Sequence, residues 1–209
     1  MPPRYILLGL LLTALTSVSS GLLLLRGLRV RLHRLEHYVV AYLCGAAVLS
    51  LLVFAMAAAH LVYKGVFVAV GVLVVAVCLY TRAWRQAGPP AAALPRAWQI
   101  LFVAVYAIFG CIYFIYAMAP EHSADGMSYH LGVVARYYRE RGFVPWTENM
   151  YANLPLGLEL LFLFAYAFGR HSAGALVHWT FLMVLPLAVL CHARRTGFTR
   201  PGVFAAVLV

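Results

Sequence analysis

Acidic side chains are scarce in this chain, and charge of either sign is uncommon. The 209 residues hold six Asp or Glu against sixteen Lys or Arg, and charged residues make up 11% of the total. Soluble domains are about a quarter charged and about half apolar, whereas this chain is 65% hydrophobic with a mean hydropathy of +0.89. The shortage of charge therefore excludes an ordinary soluble domain and predicts an integral membrane protein.

Cysteine is also rare, and its positions offer no metal centre. Cys44, Cys78, Cys111 and Cys191 each lie inside a hydrophobic run. None has metal-ligand spacing, and a buried free cysteine behaves as a small hydrophobe.

The net charge of +10 comes from cations that lie at the ends of the apolar runs. Such cations fix the orientation of a membrane protein and contact anionic lipid headgroups. The sequence contains no basic groove with interleaved stacking aromatics, which single-stranded nucleic acid would need. We therefore expect membrane lipids as partners and no nucleic acid.

The long apolar runs predict an all-α, polytopic transmembrane bundle, because the bilayer core needs about 20 helical residues and excludes irregular backbone. Residues 1–96 are predicted to form three N-terminal transmembrane helices, and 97–209 the start of a membrane core. The predicted spans lie near residues 5–25, 38–59, 65–81, 97–119 and 172–193. The first run could also pass for a signal peptide, but its continuation to Leu25 favours a retained helix.

Arginine and lysine positions predict one orientation for the first four runs. The cluster at 26–34 holds four arginines and the connection at 82–96 holds three, so both should face the cytoplasm. Alternation then places the 60–64 turn, the N-terminus and the loop 120–155 outside.

The short apolar run at 156–169 leaves two topologies open. Fourteen residues are few for a span, although residues 151–155 would lengthen the run. If the run crosses the membrane, Arg194, Arg195 and Arg200 lie outside, against the rule for positive residues. If it enters and returns, they face the cytoplasm. The last apolar stretch is too short to span, so we expect this chain to be part of a longer polytopic protein.

Most of the carboxylates lie in or beside the loop 120–155. Five of the six acids, including the only aspartate, fall between 121 and 159. Met127, Leu131, Val134 and Tyr138 form one apolar stripe at helical spacing. We therefore expect an amphipathic surface helix over 126–141, with Gly142 as its stop.

This region resembles the C-type glycosyltransferases, polytopic membrane enzymes that use polyprenyl-phosphate-linked sugars. The resemblance is carried by Asp125-Gly-Met-Ser-Tyr-His-Leu131 and Asn153-Leu-Pro-Leu-Gly-Leu-Glu159, and it covers about residues 97–195. It is closest in kind to uncharacterised bacterial members, which implies a bacterial plasma membrane.

The resemblance implies that Asp125 is catalytic, either as a general base or as a ligand of a divalent cation near the donor phosphate. Around it we expect a substrate-binding set formed by Tyr129, His130, Arg136, Arg139, Asn153 and Glu159. Transfer to a hydroxyl needs a carboxylate near the attacking oxygen and positive charge near the leaving phosphate.

Simpler roles remain open for each of these residues. Asp125 could cap the helix that follows it, Tyr129 could be an interfacial anchor, and Arg136 and Arg139 could meet lipid phosphates. Asn153 could serve a turn. The metal set His122, Asp125 and His130 lacks a known ligand spacing.

His60, His130 and His178 are expected by default to pack or hydrogen-bond within the bundle. Glu159 lies in an apolar run, so it should face a polar cavity.

Three functions are therefore weighed. The first is a membrane glycosyltransferase, inactive if the polypeptide ends at Val209. The second is a non-enzymatic scaffold or assembly subunit, which the lack of acids after Glu159 favours. The third is a transporter, which usually carries more ionisable groups near the membrane midplane.

Overall fold

The structure is a computed structural model that describes residues 2–91, 93–150 and 156–209. These residues contain helices and no strand, which confirms the all-α prediction. The helices are α1 (Pro3–Gly27), α2 (Arg34–Ala58), α3 (Lys64–Tyr80), α4 (Arg96–Met118), α5 (Leu131–Glu140), α6 (Glu159–Arg195) and α7 (Thr199–Leu208). A 3-10 turn at Ala83–Gln86 follows α3, and a π turn at Gly126–His130 precedes α5. Among the described helices α1, α2, α4 and α6 are long and apolar enough to cross a membrane, and α3 is shorter, at 17 residues.

The bundle has two chemically different ends. The Gly88 amide donates to the Leu32 carbonyl, and Arg195 forms an ion pair with Glu36 at 2.6 Å. The clusters at 26–34, 82–96 and 194–195 therefore share one end, called here the arginine-rich end. The opposite end holds Pro3, the 59–63 turn and the described part of 119–150, and is called the loop end. This grouping agrees with the expected topology of the first four helices.

Small residues let α1 and α2 approach closely. A side chain on Gly21 would collide with the Ala41 backbone, and one on Gly45 would collide with the Ser17 carbonyl. Within α1 the hydroxyls of Thr13 and Ser20 donate to carbonyls four residues earlier, which satisfies them inside the bundle. Backbone contact through small residues is a common way for helices to associate in lipid, where lipid tails compete for apolar contact.

The helix α6 is a hairpin whose two arms meet at Arg170. That residue has a φ of 59° and a ψ of −147°, far from helical values. The rings of Phe162 and His178 lie 6.0 Å apart, although sixteen residues of straight helix would separate them by about 24 Å. The chain therefore reverses, giving a first arm of residues 159–169 and a second arm of residues 171–195.

The first arm begins inside the bundle and returns to the loop end. Just before it, the Gly157 carbonyl accepts a hydrogen bond from Ser50, about two turns inside α2. At its far end a Cβ on Gly169 would lie 2.9 Å from the Tyr5 carbonyl at the start of α1. Residues 156–169 therefore do not cross the membrane, which excludes the first of the two topologies left open by the sequence. Arg194 and Arg195 accordingly lie at the arginine-rich end.

The structure corrects two details of the predicted helix at 126–141. The π turn contains one extra residue per turn, so Met127 rotates off the apolar stripe and is 49% exposed. The helix ends through Arg141, whose φ is 65°, and not through Gly142. Gly142 is needed for space instead, because a Cβ there would lie 2.6 Å from the Ala57 carbonyl.

Beyond the π turn the predicted apolar face of α5 is present and contacts protein. Leu131 and Val134 are buried as expected, together with Val133 and Tyr137. Leu131 faces Gly174 of the second arm, and the Tyr138 ring lies 5.7 Å from the Tyr166 ring of the first arm. The helix α5 is therefore positioned by the hairpin, while Arg139 and Glu140 remain exposed.

The packing of α1 on α2 makes a prediction for stability. Gly45→Val should lower the free energy of unfolding by about 1–3 kcal/mol or more, because the new side chain overpacks a backbone contact. The control is Gly65→Val in α3, where a Cβ meets nothing within 4 Å. Thermal unfolding in detergent micelles measures both. Equal midpoints for the Gly45 variant and the unchanged protein would contradict the packing described here.

Candidate functional site

A cleft of about 840 Å³ opens between the end of α4, the segment 120–131 and both arms of α6. Three of the predicted site residues line it: Asp125, His130 and Glu159. Glu121, His122 and His178 also line it, while Tyr113 and Tyr116 contribute aromatic walls from α4. The cleft thus combines titratable groups near the loop end with apolar walls along membrane-spanning helices.

Asp125 is exposed in this cleft and does not cap the helix. The carboxylate makes no capping hydrogen bond, and no other side-chain partner is found for it among the described residues. The Ser123 hydroxyl takes the capping role and accepts from the Gly126 amide at 3.0 Å. The simpler role weighed for Asp125 is therefore wrong, and its carboxylate is available to a ligand.

Glu121 forms the other side of the same turn. Its carboxylate accepts from the Ser123 amide at 2.7 Å. Hydrogen bonds from the Ser123 side chain and then from the Ser123 backbone lower the pKa of Glu121 below its ordinary 4.5. Gly126 leaves room for this carboxylate, since a Cβ there would lie 2.6 Å from the Glu121 carboxyl carbon and displace the side chain. The turn fixes the backbone from which the Asp125 side chain projects.

A hydrogen bond between His130 and Glu159 joins the π turn to the first arm. His130 Nδ1 lies 2.6 Å from Glu159 Oε1, and the Glu159 side chain is only 12% exposed. An ionised carboxylate can only accept, so Nδ1 carries the proton, and Nε2 of a neutral ring is left as an acceptor. Glu159 begins the first arm inside the bundle and lines the cleft. This position agrees with the expectation that Glu159 faces a polar cavity.

His178 is a cleft residue that sequence reasoning missed. It was expected to pack within its span, yet it is exposed and lines the cleft beside Phe162. Ala175, Trp179 and Leu182 share its helical face, and Trp179 Nε1 donates to the Gly110 carbonyl of α4 at 3.0 Å. A histidine in the middle of an apolar run was the available signal, because polar groups at that depth are costly.

The two predicted phosphate-binding arginines lie outside the cleft. The Arg136 guanidinium lies 4.6 Å from the centre of the Trp146 ring and donates weakly to the Pro145 carbonyl. Arg139 is exposed and lies 3.3 Å from Glu140. The structure therefore corrects the expectation that these two cations line the site of Asp125.

The remaining predictions meet mixed outcomes. Tyr129 packs against His130, with ring centroids 4.3 Å apart, but does not line the cleft. Asn153 lies outside the described residues. Within those residues no three His, Cys, Asp or Glu side chains come close enough to hold a metal ion, so the divalent cation implied by the resemblance finds no such ligand set there.

The assignment of the cap makes a prediction. Ser123→Ala should lower the free energy of unfolding by about 1 kcal/mol, since it removes the capping oxygen. Asp125→Ala should change it by less than about 0.5 kcal/mol, as is usual for an exposed side chain without partners. Chemical unfolding in mild detergent measures both. The reverse order would return the capping role to Asp125.

The lowered pKa of Glu121 makes the destabilisation caused by Ser123→Ala depend on pH. The folded-state pKa of Glu121 lies below 4.5. The hydrogen bonds of its carboxylate therefore stabilise the fold above pH 4.5, and this stabilisation is lost as pH falls through the folded pKa. The destabilisation by Ser123→Ala should therefore be larger at pH 7 than at pH 3, by unfolding measured at both. In a Glu121→Gln background this difference should vanish, and its persistence would assign it to another group.

Comparisons of this chain with known protein families, with curated proteins and with solved structures found no match. The chemistry of the cleft must therefore be argued from its own residues.

Proposed function

We propose that this chain is part of a membrane glycosyltransferase that moves a sugar from a polyprenyl-phosphate-linked donor to a hydroxyl. The observation that carries the proposal is the position of Asp125. Its carboxylate is free of capping and lines one cleft with the His130–Glu159 pair. A general base must reach the proton of the attacking hydroxyl, and an exposed carboxylate without a described partner can do so.

The walls of the cleft suit an amphiphilic donor. Tyr113, Tyr116 and Leu182 lie on helices long and apolar enough to span a membrane, while Asp125 and His130 belong to the loop end. A polyprenyl chain would lie along the apolar walls, with its polar group among the titratable side chains. A concave, mostly apolar site with a few convergent polar groups is the usual form of a small-molecule site.

His130 and Glu159 act in this proposal on the sugar or acceptor hydroxyls. Glu159 holds the proton of His130 on Nδ1, which turns Nε2 into an acceptor for a hydroxyl. The pair therefore orients a substrate, while Asp125 takes the proton. Arg136 and Arg139 have no part in it, because they lie outside the cleft.

The role of Asp125 is tested by turnover. Asp125→Asn keeps the size of the side chain but removes the base, so consumption of a radiolabelled polyprenyl-phosphate-linked sugar should fall at least 100-fold. The assay uses membranes that contain the full native gene product. Glu140→Gln is the control, since this exposed carboxylate pairs with Arg139 and does not line the cleft. Retained turnover in the Asp125 variant would reject the assignment.

The side of the membrane makes a separate prediction. Ala124→Cys, exposed beside Asp125, should react with an impermeant maleimide added outside intact cells. Pro90→Cys, exposed at the arginine-rich end, should react only after the membrane is opened. A chain with the four native cysteines replaced by serine provides the background. Labelling of Pro90→Cys from outside would invert the topology and overturn the proposed function.

A further inference from the structure

The loop end carries a group of four cations built from four separate segments of the chain. We call it the basic ring, and its members are Arg4, Lys64, Arg141 and Arg170. They come from the start of α1, the start of α3, the end of α5 and the apex of the α6 hairpin. Their charged groups all lie over aromatic rings of Tyr5, Tyr63, Tyr138, Tyr166 and Phe168.

One half of the basic ring is organised around Tyr138. The Arg141 and Arg170 guanidiniums lie 5.2 Å and 5.5 Å from the centre of that ring. Arg141 also lies 4.8 Å from Tyr63, and Arg170 lies 5.4 Å from Tyr166. Both guanidiniums therefore contact the same aromatic ring, and neither forms an ion pair with a described carboxylate.

The other half is organised around Tyr5. The Lys64 ammonium lies 5.6 Å and the Arg4 guanidinium 5.0 Å from its centre. Lys64 also lies 5.5 Å from the Phe168 ring, two residues before Arg170. Lys64 directly follows Tyr63 in the chain, so the two halves are adjacent at the loop end.

No carboxylate in the described part of the chain forms an ion pair with a member of the basic ring. The carboxylate nearest to it by electrostatics is Glu121, which acts on His171 together with Arg170. Aromatic contacts hold a cation in position but leave its charge in place. Four like charges held together in this way favour binding of an anion.

The rule that positive residues concentrate on the cytoplasmic side does not explain the four cations of the basic ring. The clusters at 26–34, 82–96 and 194–195 lie at the opposite end, where they fix orientation. Cations at the loop end weaken that asymmetry. Arg141 also donates to the Val62 carbonyl at 3.4 Å, which helps to hold its guanidinium in the basic ring.

We propose that the basic ring binds the phosphate of an anionic phospholipid in the leaflet at the loop end. The helix ends that carry it place it at headgroup depth, and tyrosines concentrate at that depth. Guanidiniums bind phosphate oxygens through paired hydrogen bonds. Leu7, Leu8 and Leu61 are exposed large hydrophobic residues near Arg4 and Lys64 in the chain and can contact acyl chains. None of the four cations lines the cleft, so the proposal is independent of the proposed function.

The backbone offers variants that should keep the fold. Arg141 and Arg170 both have positive φ, 65° and 59°, which glycine adopts at no steric cost. In the double variant Arg141→Gly with Arg170→Gly, the loss of aromatic contacts is offset in part by relief of backbone strain. The matched control is Arg139→Gln, which removes an exposed loop-end cation that is not part of the basic ring.

The experiment titrates the delipidated full chain in detergent with phosphatidylglycerol and follows thermal unfolding. The unchanged protein should be stabilised more by phosphatidylglycerol than by phosphatidylcholine, and the double variant should bind phosphatidylglycerol roughly 10- to 30-fold more weakly. Arg139→Gln should bind as the unchanged protein does, and inorganic phosphate alone should give less than a tenth of the lipid affinity.

Three results would overturn the proposal. They are unchanged phosphatidylglycerol affinity in the double variant, an equal loss in Arg139→Gln, or stabilisation by inorganic phosphate as tight as that by the lipid. If the double variant fails to fold, Lys64→Gln with Arg4→Gln removes the same net charge at helical and terminal positions. The same loss of phosphatidylglycerol affinity is expected for this pair of substitutions.

Discussion

The reversal of the chain at Arg170 is the constraint on which the loop end depends. A first arm of about 16 Å cannot span a hydrocarbon core of about 30 Å, so it must be enclosed by other helices. Residues 160–169 of that arm are all buried, and Gly169 allows the backbone of α1 to lie against its end. Because an irregular segment at this depth must be shielded from lipid, α1, α2 and α5 surround the arm, and their positions follow from it.

The same reversal explains how a carboxylate is kept inside an apolar bundle. Glu159 begins the first arm, at a depth where an unpaired charge is costly. His130 meets it at 2.6 Å because the π turn and α5 pack along the hairpin. Leu131, one residue further, faces Gly174, where a larger residue would displace it. The hydrogen bond between His130 and Glu159 therefore depends on apolar packing beside it, and the cleft takes its shape from the same contacts.

Hydropathy and arginine position predicted much of the helical framework, because both report directly on the cost of charge in lipid. Local signals failed where tertiary contacts decide. Periodicity placed Met127 on the buried stripe, but the π turn shifts the phase by one residue. The preference of glycine for helix ends predicted that the helix stops at Gly142. In the structure Arg141 has the left-handed conformation that ends the helix, and Gly142 is glycine because it packs against Ala57. Aspartate is a residue type that often caps helices, yet Ser123, two residues before Asp125, accepts the hydrogen bond from the Gly126 amide. The approach of His130 to Glu159, across 29 residues, has no local signature.

The first arm also connects the two surfaces of the loop end. Its base carries Glu159 in the cleft, and its tip carries Phe168 and leads into Arg170 in the basic ring. Residues 160–169 of the arm are all buried, so one closely packed helix joins its base to its tip. Arg170 itself stands at a strained φ and ψ, so contacts to its guanidinium act on the residue where the two arms diverge. One hairpin thus contributes residues to both the cleft and the basic ring.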